Sequence, residues 1–209
     1  WAGIAPDEGV VREKGVISQR GDKGPYIQSE RLDLYKQYAQ QLLEGGHAYR
    51  CFCTPQRLEQ MRNDQAAAKQ APMYDRLCVS LTKEEVDRKL AANERHVIRL
   101  KIPREETITF TDEVRGEVSF QGHTVDDQVL LKGDGFPTYH LAHVVDDKLM
   151  EIDMVIRGEE WLPSTPKHII LYQMFGWEIP EFAHLSMILA PDKSKLSKRA
   201  GHANVDWYR

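Results

Sequence analysis

The sequence predicts an α/β fold interrupted by a smaller α+β unit, and two observations carry that prediction. From Val129 to Gly176, short apolar runs alternate with helical segments in the order strand, helix, strand, helix, the signature of a parallel α/β layer. From His96 the apolar period is two instead: Ile98, Leu100 and Ile102 alternate with Arg99 and Lys101, and Ile108, Phe110, Val118 and Phe120 continue the strand-like pattern.

Each element has a local reason. Residues 31–44 place Leu32, Tyr35, Ala39, Leu42 and Leu43 at helical spacing, with Ser29 as candidate N-cap and Gly45-Gly46 as the stop. Residues 49–53 read as extended, after which Thr54 caps a helix that has Pro55 at its first position. Thr82 and Glu85 form a capping-box pattern at the head of a further helix whose buried face is Val86 and Leu90. Val129 to Leu131 reads as a buried strand ended by the Gly133 to Pro137 turn, and Met154 to Ile156 as another, with a helix from Tyr139 to Asp147 between them. Pro166 opens the last helix, whose Ile169, Ile170, Tyr172 and Gln173 run to Gly176.

Composition narrows the class. The chain has 209 residues, 41% hydrophobic and 29% charged, with a mean hydropathy of -0.54, within the ordinary globular range. No apolar run approaches the roughly 18 to 20 residues a bilayer crossing needs, so no membrane association is expected. A net charge of -4 means that any nucleic-acid contact must come from local basic patches such as Lys193 to Arg199. Three cysteines form no disulfide framework and point to a reducing compartment. Trp1 to Glu8 lacks the pattern of a signal peptide, and the start at Trp1 reads as trimmed.

The sharpest local feature is Lys195-Leu196-Ser197-Lys198-Arg199, followed by Gly201, with Lys193 close by. By itself such a run reads as a solvated basic turn. Its functional reading is a set of flexible cations beside a nucleotide, neutralising the charge that develops as pyrophosphate leaves ATP. KLSKR resembles the KMSKS signature of the class I aminoacyl-tRNA synthetases in the form used by glutamyl-tRNA synthetases. Five other blocks agree with that family in order: GPYIQSERLDLY from Gly24, AYRCFC from Ala48, DGFPTYHLAHVVDD from Asp134, VIRGEEWLPSTPKHIILY from Val155, and DWYR at the end.

The resemblance spans essentially the whole chain. It implies a Rossmann-type catalytic domain in residues 1–48 and 134–190, an insertion at 49–133 that grips the tRNA acceptor arm, and the KLSKR loop with the start of a stem-contact region at 191–209. The activity implied is two-step: the α-carboxylate of L-glutamate attacks the α-phosphate of ATP, supplied with Mg2+, and the terminal ribose hydroxyl of tRNA(Glu) then takes the glutamyl group. Lys195 and Lys198 match the family's ATP-side lysines, with Ser197, Arg199 and Trp161 near the nucleotide. Tyr139, His143 and Arg157 would line the glutamate pocket, where a planar guanidinium can grip a carboxylate bidentately. Outside the family context, Tyr139 reads as a core aromatic, Arg157 as an ion pair with Glu159 or Glu160, and Trp161 as packing. His143 departs from the pattern, since many members carry Asn there in a LANVVDD run.

The family's HIGH-like motif is expected upstream of Trp1 and its anticodon-reading part downstream of Arg209, so the chain alone is expected to be inactive. A monomer in the cytoplasm, or in a mitochondrial matrix or plastid, is the expected setting. Cys51, Cys53 and Cys78 resemble the zinc pattern of some glutamyl enzymes and their tRNA-modifying relatives. Tyr74, four residues before Cys78, matches the tyrosine ligand of the modifying relatives, while Ser80 stands where other relatives have His. The alternatives are three free thiols without metal and, for the activity, a glutamyl-queuosine tRNA(Asp) synthetase paralogue or a non-catalytic tRNA-binding module.

Overall fold

The computed structural model describes residues 6–13, 15–190 and 192–193. Lys195, Ser197, Lys198 and Arg199 lie outside the described residues. A hairpin of β1 (Gly9–Glu13) and β2 (Val16–Arg20), unannounced by any apolar pattern because all of β2 is exposed, precedes the first helix.

Helix α1 (Leu32–Glu44) buries Tyr35, Ala39 and Leu42 as its spacing requires. Its N-cap is Arg31, not Ser29, which sits in a short 3-10 turn at Gln28–Glu30. The physical reason is the burial of Arg31, 2% exposed, whose Nε bonds the Asp146 carboxylate at 2.7 Å and fixes where the helix begins. Gly46, at φ +71°, lets His47 N–H close on the Leu42 carbonyl at 2.8 Å and end the helix.

Strand β3 (Ala48–Cys51) leads into α2 (Pro55–Ala67), where the Thr54 hydroxyl accepts from Arg57 N–H at 3.3 Å. The expected capping box opens α3 (Lys83–Ala91), although Val86 and Leu90 are only half-buried. Strand β4 (Val97–Leu100) corrects the simple alternation. Arg99, expected on the solvent side, is 5% exposed, stacked 4.1 Å from the Tyr74 ring centre and bonded through Nη1 to the Asp127 carbonyl at 2.9 Å. Both faces of this strand are covered, so period two does not separate core from solvent here.

Strands β5 (Thr107–Asp112) and β6 (Gly116–Gln121) form a hairpin, and β7 (Val129–Leu131) is followed by α4 (Tyr139–Leu149), β8 (Met154–Gly158), α5 (Thr165–Phe175) and β9 (Glu181–Leu185). The parallel layer differs from the expected pairing. Strand β7 runs antiparallel to β4 in a sheet ordered β3-β4-β7, while the parallel pair is β8 with β9, wrapped around α5. The second sheet is ordered β6-β5-β9-β8, so β5, from the middle of the chain, lies parallel beside β9 with Asp112 opposite Phe182. Strand β9 escaped sequence reading because Glu181-Phe182-Ala183-His184-Leu185 buries a histidine among its apolar residues.

One apolar core joins α1, α4, α5 and both larger sheets through Tyr35, Leu100, Leu130, Leu141, Ile169 and Phe182. Helix α5 is buried nearly all round, from Thr165 through His168 and Tyr172 to Phe175, and ends at Gly176 with φ +68°. A smaller cluster gathers Cys51, Tyr74 and Cys78. Among the described residues no helix is long and apolar enough to cross a membrane.

Candidate active site and metal site

The parallel pair β8 and β9 ends at a polar cluster, the place where open α/β sheets bind ligands. Arg157 on β8 and His184 on β9 are register partners. The first turns of α4 and α5 face them, bringing Tyr139, His140 and His143 from one and Thr165 and His168 from the other; Trp161 arrives on the 3-10 turn Glu159–Ser164.

Arg157 is the hub. Its Nε donates to His184 Nε2 at 2.9 Å and its Nη2 to Thr165 Oγ1 at 2.8 Å; its Nη1 lies 3.3 Å from His168 Nδ1 and 3.5 Å from the Tyr139 hydroxyl. None of these four partners is a carboxylate, and the Tyr139 contact is at the limit of a hydrogen bond. The inner edge of the guanidinium is therefore fixed, and the Nη edge keeps donor capacity for a planar anion. Glu159 is engaged elsewhere, by Arg115 Nη2 and by Met187 N–H at 3.2 Å, so Arg157 is not the surface ion pair with Glu159 that its neighbours allowed.

Because Arg157 can only donate, His168 accepts at Nδ1 and gives its Nε2 hydrogen to His140 Nδ1, 3.0 Å away. Burial first, then the nearby Lys167, His143 and Arg157, lowers His140 to about 4. Burial, reinforced by His143 and Arg157, holds His168 well below its ordinary value. Both rings are thus neutral near pH 7. Tyr139 is 42% exposed and not a core aromatic; its ring stacks on His143 with centroids 5.2 Å apart and lies 4.6 Å from Trp161, itself 37% exposed. His143 Nδ1 is 2.9 Å from Asp147, and its Nε2 is buried with no hydrogen-bond partner among the described residues.

The second cluster lies on β3 and the loops around α2. Tyr74 Oη sits 3.3 Å from both Cys51 Sγ and Cys53 Sγ, Cys53 and Cys78 sulfurs are 3.6 Å apart, and the three sulfurs fall within 4.8 Å of one another. With Zn–S near 2.3 Å, a tetrahedral ion needs S···S edges of about 3.7 Å and S···O edges of about 3.5 Å, so the donor set fits a four-coordinate metal ion. The Cys78 sulfur beside it, against the effect of burial and helped by Tyr74 and Arg99, lowers the Cys51 thiol below its ordinary value, the direction that favours a metal-binding sulfur. Ser80 turns its hydroxyl to the Leu77 carbonyl at 3.1 Å, away from the sulfurs.

The family profile "tRNA synthetases class I (E and Q), catalytic domain" matches residues 1–209. The chain belongs to this family. It is 53% identical over its full length to the glutamate–tRNA ligase of Gloeobacter violaceus and to that of Clostridioides difficile, and 58% identical over 90% of its length to that of Rhizobium johnstonii. It spans 38% to 43% of the length of those relatives. Among solved structures it resembles glutamate–tRNA synthetase from Elizabethkingia anophelis, with a TM-score of 0.81 and 46% identity over 87% of this chain and 38% of that one. A glutamate–tRNA ligase from Elizabethkingia meningosepticum, crystallised in complex with its amino acid, matches equally well.

The fold brings Tyr139, His143, Arg157 and Trp161 together at one strand-end face. Sequence reading missed His140, His168, His184, Thr165 and Asp112. The first two stand inside blocks already singled out, YHLAH and PKHII, where the i, i+3 pair His140 and His143 was the available signal. Asp112 and His184 gave none, since 72 residues separate them.

Proposed function

We propose that the protein containing this chain is a glutamate–tRNA ligase that activates L-glutamate with ATP and passes it to tRNA(Glu). The observation that carries this reading is the convergence of Tyr139, His143, Arg157 and Trp161 at the β8–β9 strand ends in a chain 53% to 58% identical to proteins of that name. Those names favour ligation over the glutamyl-queuosine alternative.

In this reading the Nη edge of Arg157 grips a glutamate carboxylate, Tyr139 and His143 form the adjoining wall, and Trp161 borders the nucleotide. Mg2+ supplies charge neutralisation on the ATP phosphates. Lys195 and Lys198 neutralise charge on them, with Ser197 and Arg199 also binding the nucleotide. Residues 1–48 and 134–190 supply the catalytic domain, 49–133 the acceptor-binding insertion, and 191–209 the loop and the start of the stem-contact region; the β5–β6 hairpin of the insertion shares its sheet with β9. The Cys51, Cys53, Tyr74 and Cys78 set holds a structural zinc. The protein works as a monomer in a reducing compartment, cytoplasm or organelle matrix, that keeps its thiols reduced.

The test is glutamate-dependent ATP–pyrophosphate exchange by the full-length protein with tRNA present. Lys198→Ala should lower the exchange rate about a hundred-fold, equivalent to about 2 to 4 kcal/mol of transition-state stabilisation, with little change in glutamate affinity. Absence of glutamate-dependent exchange in the unaltered protein overturns the reading.

A further inference from the structure

We propose that Asp112 and His184 are positioning residues that set the orientation of Arg157, and through it the affinity for the amino acid, a proposal that rests on Arg157 gripping the glutamate carboxylate. Asp112 is the last residue of β5 and His184 lies in β9; they are 1% and 0% exposed. The carboxylate is itself held in place. Its Oδ1 accepts from Val114 N–H at 3.1 Å and Arg115 N–H at 3.0 Å, and His184 N–H lies 3.3 and 3.2 Å from its two oxygens. Its Oδ2 meets His184 Nδ1 at 2.5 Å.

The donors and acceptors permit one arrangement. Arg157 Nε–H must donate, so His184 Nε2 must accept, and the ring hydrogen sits on Nδ1, facing Asp112. Burial acts to raise the Asp112 carboxyl, but the bonds from the His184 ring and from the His184, Arg115 and Val114 amides hold it below its ordinary value and keep it the anion this tautomer needs. Thr165 Oγ1, 3.2 Å from His184 Nε2 and 2.8 Å from Arg157 Nη2, completes the corner. Asp112 thus selects a tautomer, and the tautomer selects where Arg157 points.

Asp112→Asn separates this role from mere packing. Two backbone N–H groups favour the amide oxygen at the Oδ1 position, which puts the amide NH2 against His184 Nδ1. The ring hydrogen then moves to Nε2 and opposes Arg157 Nε–H, donor against donor. In the full-length protein the glutamate KM is expected to rise about ten-fold or more in exchange assays, with the ATP KM held within about three-fold. His184→Gln, whose amide oxygen still accepts from Arg157, should keep the glutamate KM within about three-fold, while His184→Leu should raise it about ten-fold. Histidine-selective 15N NMR of the unaltered protein should show the Nδ1–H tautomer for His184 whether or not a variant folds.

An Nε2–H tautomer in the unaltered protein overturns the proposal. So does an Asp112→Asn protein with unchanged glutamate KM, or one in which the ATP and glutamate KM values rise alike. If Arg157→Lys leaves the glutamate KM unchanged, the reading of Arg157 itself falls, and the proposal with it; the NMR tautomer and the exchange activity tell that failure apart from the others.

Discussion

The Arg157 cluster and the Cys51 cluster are both polar and largely buried, yet they are held together in opposite ways. Around Arg157 every contact joins a donor to an acceptor supplied by the protein: His184, Thr165, His168 and Tyr139 surround the guanidinium, and Asp112 stands behind His184. Around Cys51 the inner groups are three cysteine sulfurs and a phenol, all able to act as ligands once deprotonated, with the sulfurs within 4.8 Å of one another and the phenol oxygen 3.3 Å from two of them. The first set is complete as a scaffold with one edge open to an anion. The second becomes a strong set of bonds only when a cation replaces protons at its centre.

Support from outside differs as well. The Arg157 cluster draws on strands and helices, whereas Tyr74 comes from a loop that two consecutive aspartates tie down, and Cys78 from the 3-10 turn Leu77–Ser80 just after it. Asp126 accepts Tyr74 N–H at 2.9 Å, and the fully buried Asp127 accepts from Tyr49 Oη at 2.7 Å and Ile102 N–H at 3.1 Å while pairing with Arg76 at 3.0 Å. The largest expected effect follows from that anchor. Asp127→Ala leaves arginines and a phenol without their partner and should destabilise the full-length protein by about 3 to 5 kcal/mol in urea unfolding. A loss under about 1 kcal/mol would mean the loop is held by the sulfurs and not by Asp127.

Arg157→Ala addresses the other region. It should lower kcat/KM for glutamate by two to three powers of ten, about 3 to 4 kcal/mol, and leave metal content unaltered. Equal loss with glutamate and with ATP as the varied substrate would argue for general damage.

Metal removal is the converse experiment. Elemental analysis of protein purified without added metal should find one zinc per chain, and Cys51→Ser should lose it with a stability decrease of about 2 to 3 kcal/mol, while the glutamate KM stays within about two-fold. Zinc retained after Cys51→Ser would remove that residue from the ligand set.

The smallest effect concerns pH. The folded value of His140 is about 4 against an ordinary 6.5, so the unfolded chain takes up its proton first. Its contribution to stability is present above about pH 6.5 and is lost as pH falls through about 4. His140→Gln should flatten the loss between those limits by about 1 kcal/mol, allowing for solvent screening of a ring that is not fully buried. An unchanged slope would show that His140 is not neutral in the fold.

Sequence reading recovered most helices because their signals are local: Pro55 behind Thr54, the Thr82 and Glu85 box, and the Gly46 and Gly176 stops each specify a boundary within one turn. It failed at Ser29 and Arg99, where long-range partners, Asp146 for Arg31 and Tyr74 with Asp127 for Arg99, overrode the local pattern.

By itself the sequence determined the family and an α/β class with most of its helices, and it pointed to the three cysteines and tyrosine that the structure gathers in the second cluster and to four residues that it gathers in the first. The helices follow from short-range spacing, and the site residues from the resemblance of blocks of consecutive residues to a known family. Which strands pair, that β5 joins β9, and that Asp112 thereby reaches His184 were decided only by the tertiary structure. Strand partners are chosen by the whole packed core, and a hydrogen bond across 72 residues leaves no periodicity along the chain.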